Sequence, residues 1–196
     1  VVCRRQRQMC IRDRYSCYIN NMDIMIDIEC LGIDPDATIL TIAAQQFNPY
    51  GHGCVGERSL YKRLTIESQP GRSIDDGTIK WWSQQPAEAR EEALGEGAWR
   101  VDIKDALQDL SKLIFHADRL WANGPAYDMT ILENAYKQFA MTLPWRFYRV
   151  RDCRTVYSLW PDLPQPPTTH HALEDCARQI NMLQDTLRHL NIRKLK

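Results

Sequence analysis

Between residues 24 and 29 the chain reads Ile24-Met25-Ile26-Asp27-Ile28-Glu29, and few folds can accommodate that string. Three isoleucines alternate with Met25 and two acids. A strand here has one wholly apolar face and a second face that ends in paired carboxylates. An ionised carboxylate is costly to bury unless something compensates its charge. Two more acids stand in similar settings: Asp128 at the end of Trp121-Ala122-Asn123-Gly124-Pro125-Ala126-Tyr127-Asp128, and Asp175 in His170-His171-Ala172-Leu173-Glu174-Asp175. One compensator shared by all of them, a divalent cation, is the economical solution, and it points toward metal-assisted hydrolysis of a phosphodiester.

The rest of the pattern describes what surrounds that strand. After residues 22–29 come a second strand over 37–48 and a third over roughly 54–66, separated by the turn Pro49-Tyr50-Gly51-His52-Gly53, which predicts a three-strand meander. One or two short helices follow within 75–94, Pro86 suiting a first turn. Asp102 to Phe115 has apolar residues at helical spacing; Arg119 to Ala122 is a short strand, and Tyr127 to Phe139 a helix. A strand within 144–151, a short helix over 153–160, a proline-rich loop from Pro161 to Pro167 and a final helix from Ala172 to Leu190 complete the order. This predicts a single α/β domain, a mixed central sheet flanked by helices, over residues 22–196. The acids on β-strand alternation predict a cleft on a sheet face that is only half covered.

Residues 1–21 read differently. They lack helical or strand periodicity, and residues 1–20 hold five of the 25 basic side chains against one acid. The string resembles translated sequencing-adapter DNA, and Met22 is the natural start of the ordered pattern, so the stretch reads as a tail outside the domain; a basic arm tracking a phosphate backbone is the alternative. Without the tail the remainder is acidic by about four charges, which argues against tight, salt-sensitive binding of long duplex. No apolar run approaches the ~18 residues of a membrane span. The seven cysteines form no C-x-x-C pair and no zinc spacing, so Cys30 and Cys176, although next to acids, read as small buried hydrophobes in a reducing, cytoplasmic setting.

Asp27-x-Glu29 puts two carboxylates on one strand face about 7 Å apart, within reach of two cations. Asp128 opens a helix after a Gly-Pro turn, where an acid is also favoured by the helix dipole alone. Asp175 lies one turn into the last helix with His170 in the loop before it, so a neutral imidazole and a cation can face one water. His171 competes for the same role.

Taken together, these elements resemble the DEDDh branch of the DnaQ-like 3′→5′ exonucleases, with their ribonuclease H-like fold. The family's first motif is matched by Asp27 and Glu29, its second by Asp128, and its third, H-x-A-L-x-D, by His170 to Asp175. The match runs from Met22 to about Leu190, and Met25 to Gly32, Ile79 to Trp82, Trp121 to Gly124 and Arg151 to Thr155 are similar to stand-alone phage and prophage members and their mycobacterial exoribonuclease-like relatives. Cys30-Leu31-Gly32 departs from the family's common Thr-Thr-Gly turn. The resemblance implies two Mg²⁺ or Mn²⁺ ions held by Asp27, Glu29, Asp128 and Asp175, His170 as general base, and release of nucleoside 5′-monophosphates from the 3′ end of single-stranded DNA, or alternatively RNA. It implies substrate contacts by Leu31, Gly32 and Asn123. Trp81 or Trp82 is a candidate to stack on a base, Trp81 first, the other of the pair belonging to the core, and Arg154 is a candidate to hold a phosphate, an ion pair between Arg154 and Asp152 being the plain alternative. A non-catalytic nucleic-acid-binding module would be expected to lack one of the acids; none is missing. A second copy of the chain is a further candidate partner.

Overall fold

A computed structural model of the chain describes residues 22–53, 58–95 and 99–194. Six strands form one sheet: β1 (Asp23–Cys30), β2 (Ile39–Phe47), β3 (Ser59–Leu64), β4 (Arg100–Val101), β5 (Leu120–Ala122) and β6 (Val150–Asp152), in the spatial order β4-β3-β2-β1-β5-β6. β1, β2 and β3 are the expected antiparallel meander, while β4 joins β3, β5 joins β1 and β6 joins β5 in parallel. Among the described residues six helices accompany them: α1 (Asp76–Ser83), α2 (Ala87–Leu94), α3 (Ile103–Ile114), α4 (Pro125–Gln138), α5 (Cys153–Tyr157) and α6 (Ala172–His189). No helix among the described residues is long and apolar enough to cross a membrane.

Several helix starts follow from single polar side chains. Asp75, Asp102 and Asp152 accept the backbone N–H of Thr78, Lys104 and Arg154, satisfying amides that the helix leaves unpaired. α4 instead begins with Gly124 at φ +117° and Pro125 in its first turn.

The alternation in β1 divides the core in two. Ile24, Ile26 and Ile28 pack with Leu107 and Leu110 of α3 and Met129 and Leu132 of α4 on one face. Met25 and Trp121 pack with Cys176, Ile180 and Leu183 of α6 on the other. The acid-bearing face is therefore roofed over Met25 and open only toward the C-terminal end of β1, which narrows the expected half-covered face to an opening over Asp27 and Glu29. There β2 holds one extra residue, Leu40, between the partners of Glu29 and Cys30. Such a bulge twists the strand locally, and Leu40 fills a small third cluster with Leu31, Trp82 and Ala93.

Three expectations need adjustment. The third strand is shorter than 54–66: after Leu64 the chain turns, with Gln69 N–H donating to Ile66 O at 3.0 Å, and residues 54–57 lie outside the described residues. β4 is an added two-residue edge strand, too short to leave a periodic signal. Within 144–151 a 3₁₀ turn, Phe147–Arg149, precedes β6, which continues to Asp152. The tail reading of residues 1–21 likewise falls outside the described residues.

Candidate metal centre and its surroundings

β1 and α6 bring three distant acids together. Ligand oxygens of Asp27, Glu29 and Asp175 all lie within 4.8 Å of one another. The strand supplies the first two by alternation; the first turn of α6 lowers the third over them. Asp128, buried at the start of α4, stands beside this group rather than within it, its Oδ1 accepting the Ile28 N–H at 3.3 Å. It is still close enough to act electrostatically. Burial first, and then the charge of Asp128, pushes the Asp27 carboxyl well above its usual range. Burial and the neighbouring Asp27 push Glu29 up to about 9. Burial raises Asp128 to about 7, against the Ile28 N–H and Arg154, which lower it. Each shift says that the protein alone does not compensate these charges, as a hard cation among oxygen donors would.

Asp175 is held from both sides. Arg178 Nε donates to its Oδ1 at 2.8 Å; the Thr168 hydroxyl at 2.6 Å and the His170 N–H at 3.0 Å donate to its Oδ2. His170 takes a left-handed conformation, φ +56°, which turns its ring inward. Its Nδ1 is 3.9 Å from Glu29 Oε1 and its ring meets Trp81 edge-on, centroids 4.9 Å apart. Burial pushes its pKa down, favouring the neutral imidazole. His171 points elsewhere, stacking on Tyr61 at 4.7 Å with Nε2 3.9 Å from Glu92.

The two adjacent tryptophans separate just as clearly. Trp82 is buried and donates its indole N–H to Cys30 O at 3.0 Å, whereas Trp81 is 41% exposed beside His170. Leu31 is buried, its N–H donating to Thr38 O and its carbonyl accepting from Asp75 N–H; the Gly32 carbonyl accepts from the Tyr127 hydroxyl at 3.1 Å. A Cβ on Gly32 would come within 3.2 Å of Ala37 Cβ, so the turn is tightly packed. Asn123 and Arg154 lie together on the β5–α5 side. Asp152 spends its carboxylate on the Arg154 N–H and the Thr155 hydroxyl of its own helix start, and the Arg154 guanidinium lies across the Cα of Gly124 instead, its Cζ 3.5 Å from where a Cβ would be. Cys30 and Cys176 are buried, and burial raises the Cys30 thiol further.

A family model described as the 3′-5′ exoribonuclease Rv2179c-like domain matches residues 22–187. The chain belongs to this family. A curated relative, the exodeoxyribonuclease of Enterobacteria phage T4, is 26% identical over 206 residues, covering 85% of this chain and 89% of its own. Among solved structures, S. pombe Pop2p in a Mg²⁺- and Mn²⁺-bound form superposes with a TM-score of 0.56 at 12% identity, covering 96% of this chain and 92% of that one. The nuclease domain of 3′hExo, a DEDDh family member bound to rAMP, gives 0.55 at 13%, covering 86% and 92%. These two likenesses establish the ribonuclease H-like α/β fold.

Within this Rv2179c-like domain, sequence reasoning passed over two residues at the centre. Gln179, fully buried, donates Nε2 to Asp27 Oδ1 at 2.7 Å, while its own Oε1 is buried without a partner. Arg178 supplies the cation beside Asp175. Both were accessible in principle, since positions three and four after Asp175 share its helix face.

Proposed function

We propose that this chain is a metal-dependent 3′→5′ exonuclease that releases nucleoside 5′-monophosphates from single-stranded nucleic acid. The observation that carries the reading is the convergence of Asp27, Glu29 and Asp175 oxygens within 4.8 Å, with the His170 ring beside them. The donor set fits divalent cations such as Mg²⁺ or Mn²⁺: every ligand is a hard oxygen, and the Asp27 and Glu29 carboxyls are held above their usual pKa, a cost that a bound cation would remove. Asp27, Glu29 and Asp175 would hold them, with Asp128 completing the set. When bound, two such ions lower the pKa of water and offset charge on the phosphoryl oxygens.

The chain's own residues supply the rest. Neutral His170 accepts the proton of the attacking water, and burial, by pushing its pKa down, favours that neutral form. Thr168, Arg178 and Gln179 hold the Asp175 and Asp27 carboxylates in place. The backbone of Leu31 and Gly32 lies against the terminal nucleotide, and the exposed ring of Trp81 offers it a stacking surface.

DNA is the first reading of the sugar, supported by the named activity of the phage T4 relative; RNA is the second, supported by the family's description. Digestion of 3′- and 5′-labelled single-stranded DNA and RNA, side by side with and without Mn²⁺, tests polarity, metal requirement and sugar choice at once. Mononucleotides released from the 3′ end only in the presence of metal are expected; release from the 5′ end, or metal-independent cleavage, would overturn the reading.

A further inference from the structure

A groove of about 530 Å³ opens on the β5–α5 side of the acid cluster, lined among others by Asn123, Arg154, Tyr157, Trp160, Arg178 and Met182. Two guanidiniums face it, and both have donors to spare. The Arg154 side chain has no hydrogen-bond acceptor among the described residues, although its charge reaches the Asp128 carboxylate; it rests on the bare Cα of Gly124, whose φ of +117° and missing Cβ let it lie flat. Arg178 gives Nε to Asp175, while its Nη1 has only the Met182 sulfur, 3.5 Å away, a weak acceptor. Among 175 residues of acidic balance, two under-used guanidiniums in one groove mark a place built for an anion. The groove is flanked by the Trp160 ring, which stacks on His189 at 4.1 Å, and by the Asn123 amide.

Position assigns the anion. Arg178 touches Asp175, so the groove begins where the acid cluster ends. Trp81 lies past the C-terminal end of β1, against His170, whereas Asn123, Arg154 and Trp160 come from the β5, β6 and α5 side. On the exonuclease reading, a strand with its last base at Trp81 and its scissile phosphate at the acids would continue into this groove. We propose that the groove is a subsite for the internucleotide phosphate on the 5′ side of the scissile one, gripped by Arg154 and Arg178. The proposal rests on the exonuclease reading above and adds a minimum substrate to it: full turnover requires a second phosphodiester.

The test compares two substrates of the Mn²⁺-loaded protein. The p-nitrophenyl ester of thymidine 5′-monophosphate has a scissile phosphate and nothing beyond it, whereas a single-stranded oligonucleotide of eight or more residues fills the groove. Arg154→Ala is expected to lower kcat/KM on the oligonucleotide roughly ten- to hundredfold more than on the ester, the loss of a charge-assisted contact. With Ca²⁺ in place of Mn²⁺, fluorescence anisotropy of the labelled oligonucleotide should give a log–log salt slope smaller by about 0.7 for Arg154→Ala than for wild type. Arg154→Lys should keep the slope while losing part of the affinity. Arg151→Ala, which removes an equal charge from a side chain bonded to Tyr148 O and Val150 O, should keep the wild-type slope. Equal losses on both substrates would place Arg154 on the scissile phosphate and overturn the proposal, as would a salt slope unchanged by Arg154→Ala. If wild type hydrolysed neither substrate, the exonuclease reading would fail; the anisotropy arm would still judge the groove as an anion site.

Discussion

β1 carries acids at both ends of one face, buried Asp23 at one and half-buried Asp27 and Glu29 at the other, and the fold treats them in opposite ways. Asp23, Met25, Asp27 and Glu29 alternate onto the same side of the strand. At the first end Asp23 is fully enclosed, yet Trp121 Nε1 donates to it at 2.7 Å and Arg119 Nη1 lies 3.4 Å away. At the other end Asp27 has one Gln179 N–H, and its nearest charges are other acids. The protein answers the first carboxylate with its own donors and leaves the second group to be answered from outside. The difference separates an acid that belongs to the structure from acids that belong to a site: the first is sealed in and faces a cation, whereas the second pair is half-buried and faces other acids.

Exchanging the two ends' side chains would break this comparison most sharply. Asp27→Ala is expected to lower hydrolysis by on the order of 10³-fold or more while the domain still melts cooperatively, because on the proposed reading it removes a ligand for the cations. Asp23→Ala should do the reverse. It takes the acceptor from Trp121 and the counter-charge from Arg119, costing roughly 2–4 kcal/mol of stability, with the folded fraction still active. Parallel calorimetry and turnover on the two variants measure both. Asp27→Ala with wild-type turnover would remove that residue from the site.

His170→Ala should follow at about 10²- to 10⁴-fold in kcat, with His171→Ala far milder, since its ring belongs to the Tyr61 stack. The reverse ranking would move the base by one position.

Stability against pH distinguishes the ends without any substrate. All these acids have raised pKa values in the fold, so the native state binds more protons than the unfolded chain, and stability falls as pH rises through the interval. For Asp23 that interval runs from 3.8 to about 6; for Glu29 it runs from 4.5 to about 9. In EDTA the melting temperature should therefore decline toward alkaline pH. Asp23→Asn should flatten the acidic part of that decline and Glu29→Gln the upper part. Added Mn²⁺ should restore stability most at high pH and least in the Glu29→Gln variant. A Mn²⁺ response confined to acid pH would contradict the assignment of these acids as ligands.

The smallest expected effect on activity concerns the paired indoles. Trp81→Ala should raise KM by roughly tenfold through the lost stacking surface, with little change in melting temperature. Trp82→Ala should cost about 3–5 kcal/mol of stability, because it empties the cluster around Leu31 and Leu40. Steady-state kinetics and denaturant titration on the pair check both.

Much of this arrangement is written locally. The alternation in β1, the apolar spacing of α3 and the H-x-A-L-x-D string before α6 each carry their signal within a few residues, and the meander, the helices and the acid set follow from them. What the sequence hid depends on distant partners. Asp23 has the same apolar flanks as Asp27, and nothing nearby reveals that Arg119 and Trp121 complete it. β4 exists only because β3 offers it an edge. Gln179 looks like any polar residue on an amphipathic helix until α6 is laid over β1. His170 and His171 are separable only once Tyr61 and Trp81 are in place.

The left-handed turn at His170 has one more consequence. The amide of that histidine is pinned by the same carboxylate oxygen, Asp175 Oδ2, that borders the acid cluster. Anything that redistributes charge on Asp175 must therefore be felt by the ring next to it. The protein thus contains an internal gauge: the imidazole resonances of His170 should report how full the neighbouring carboxylates are, in an idle molecule with no strand to cut.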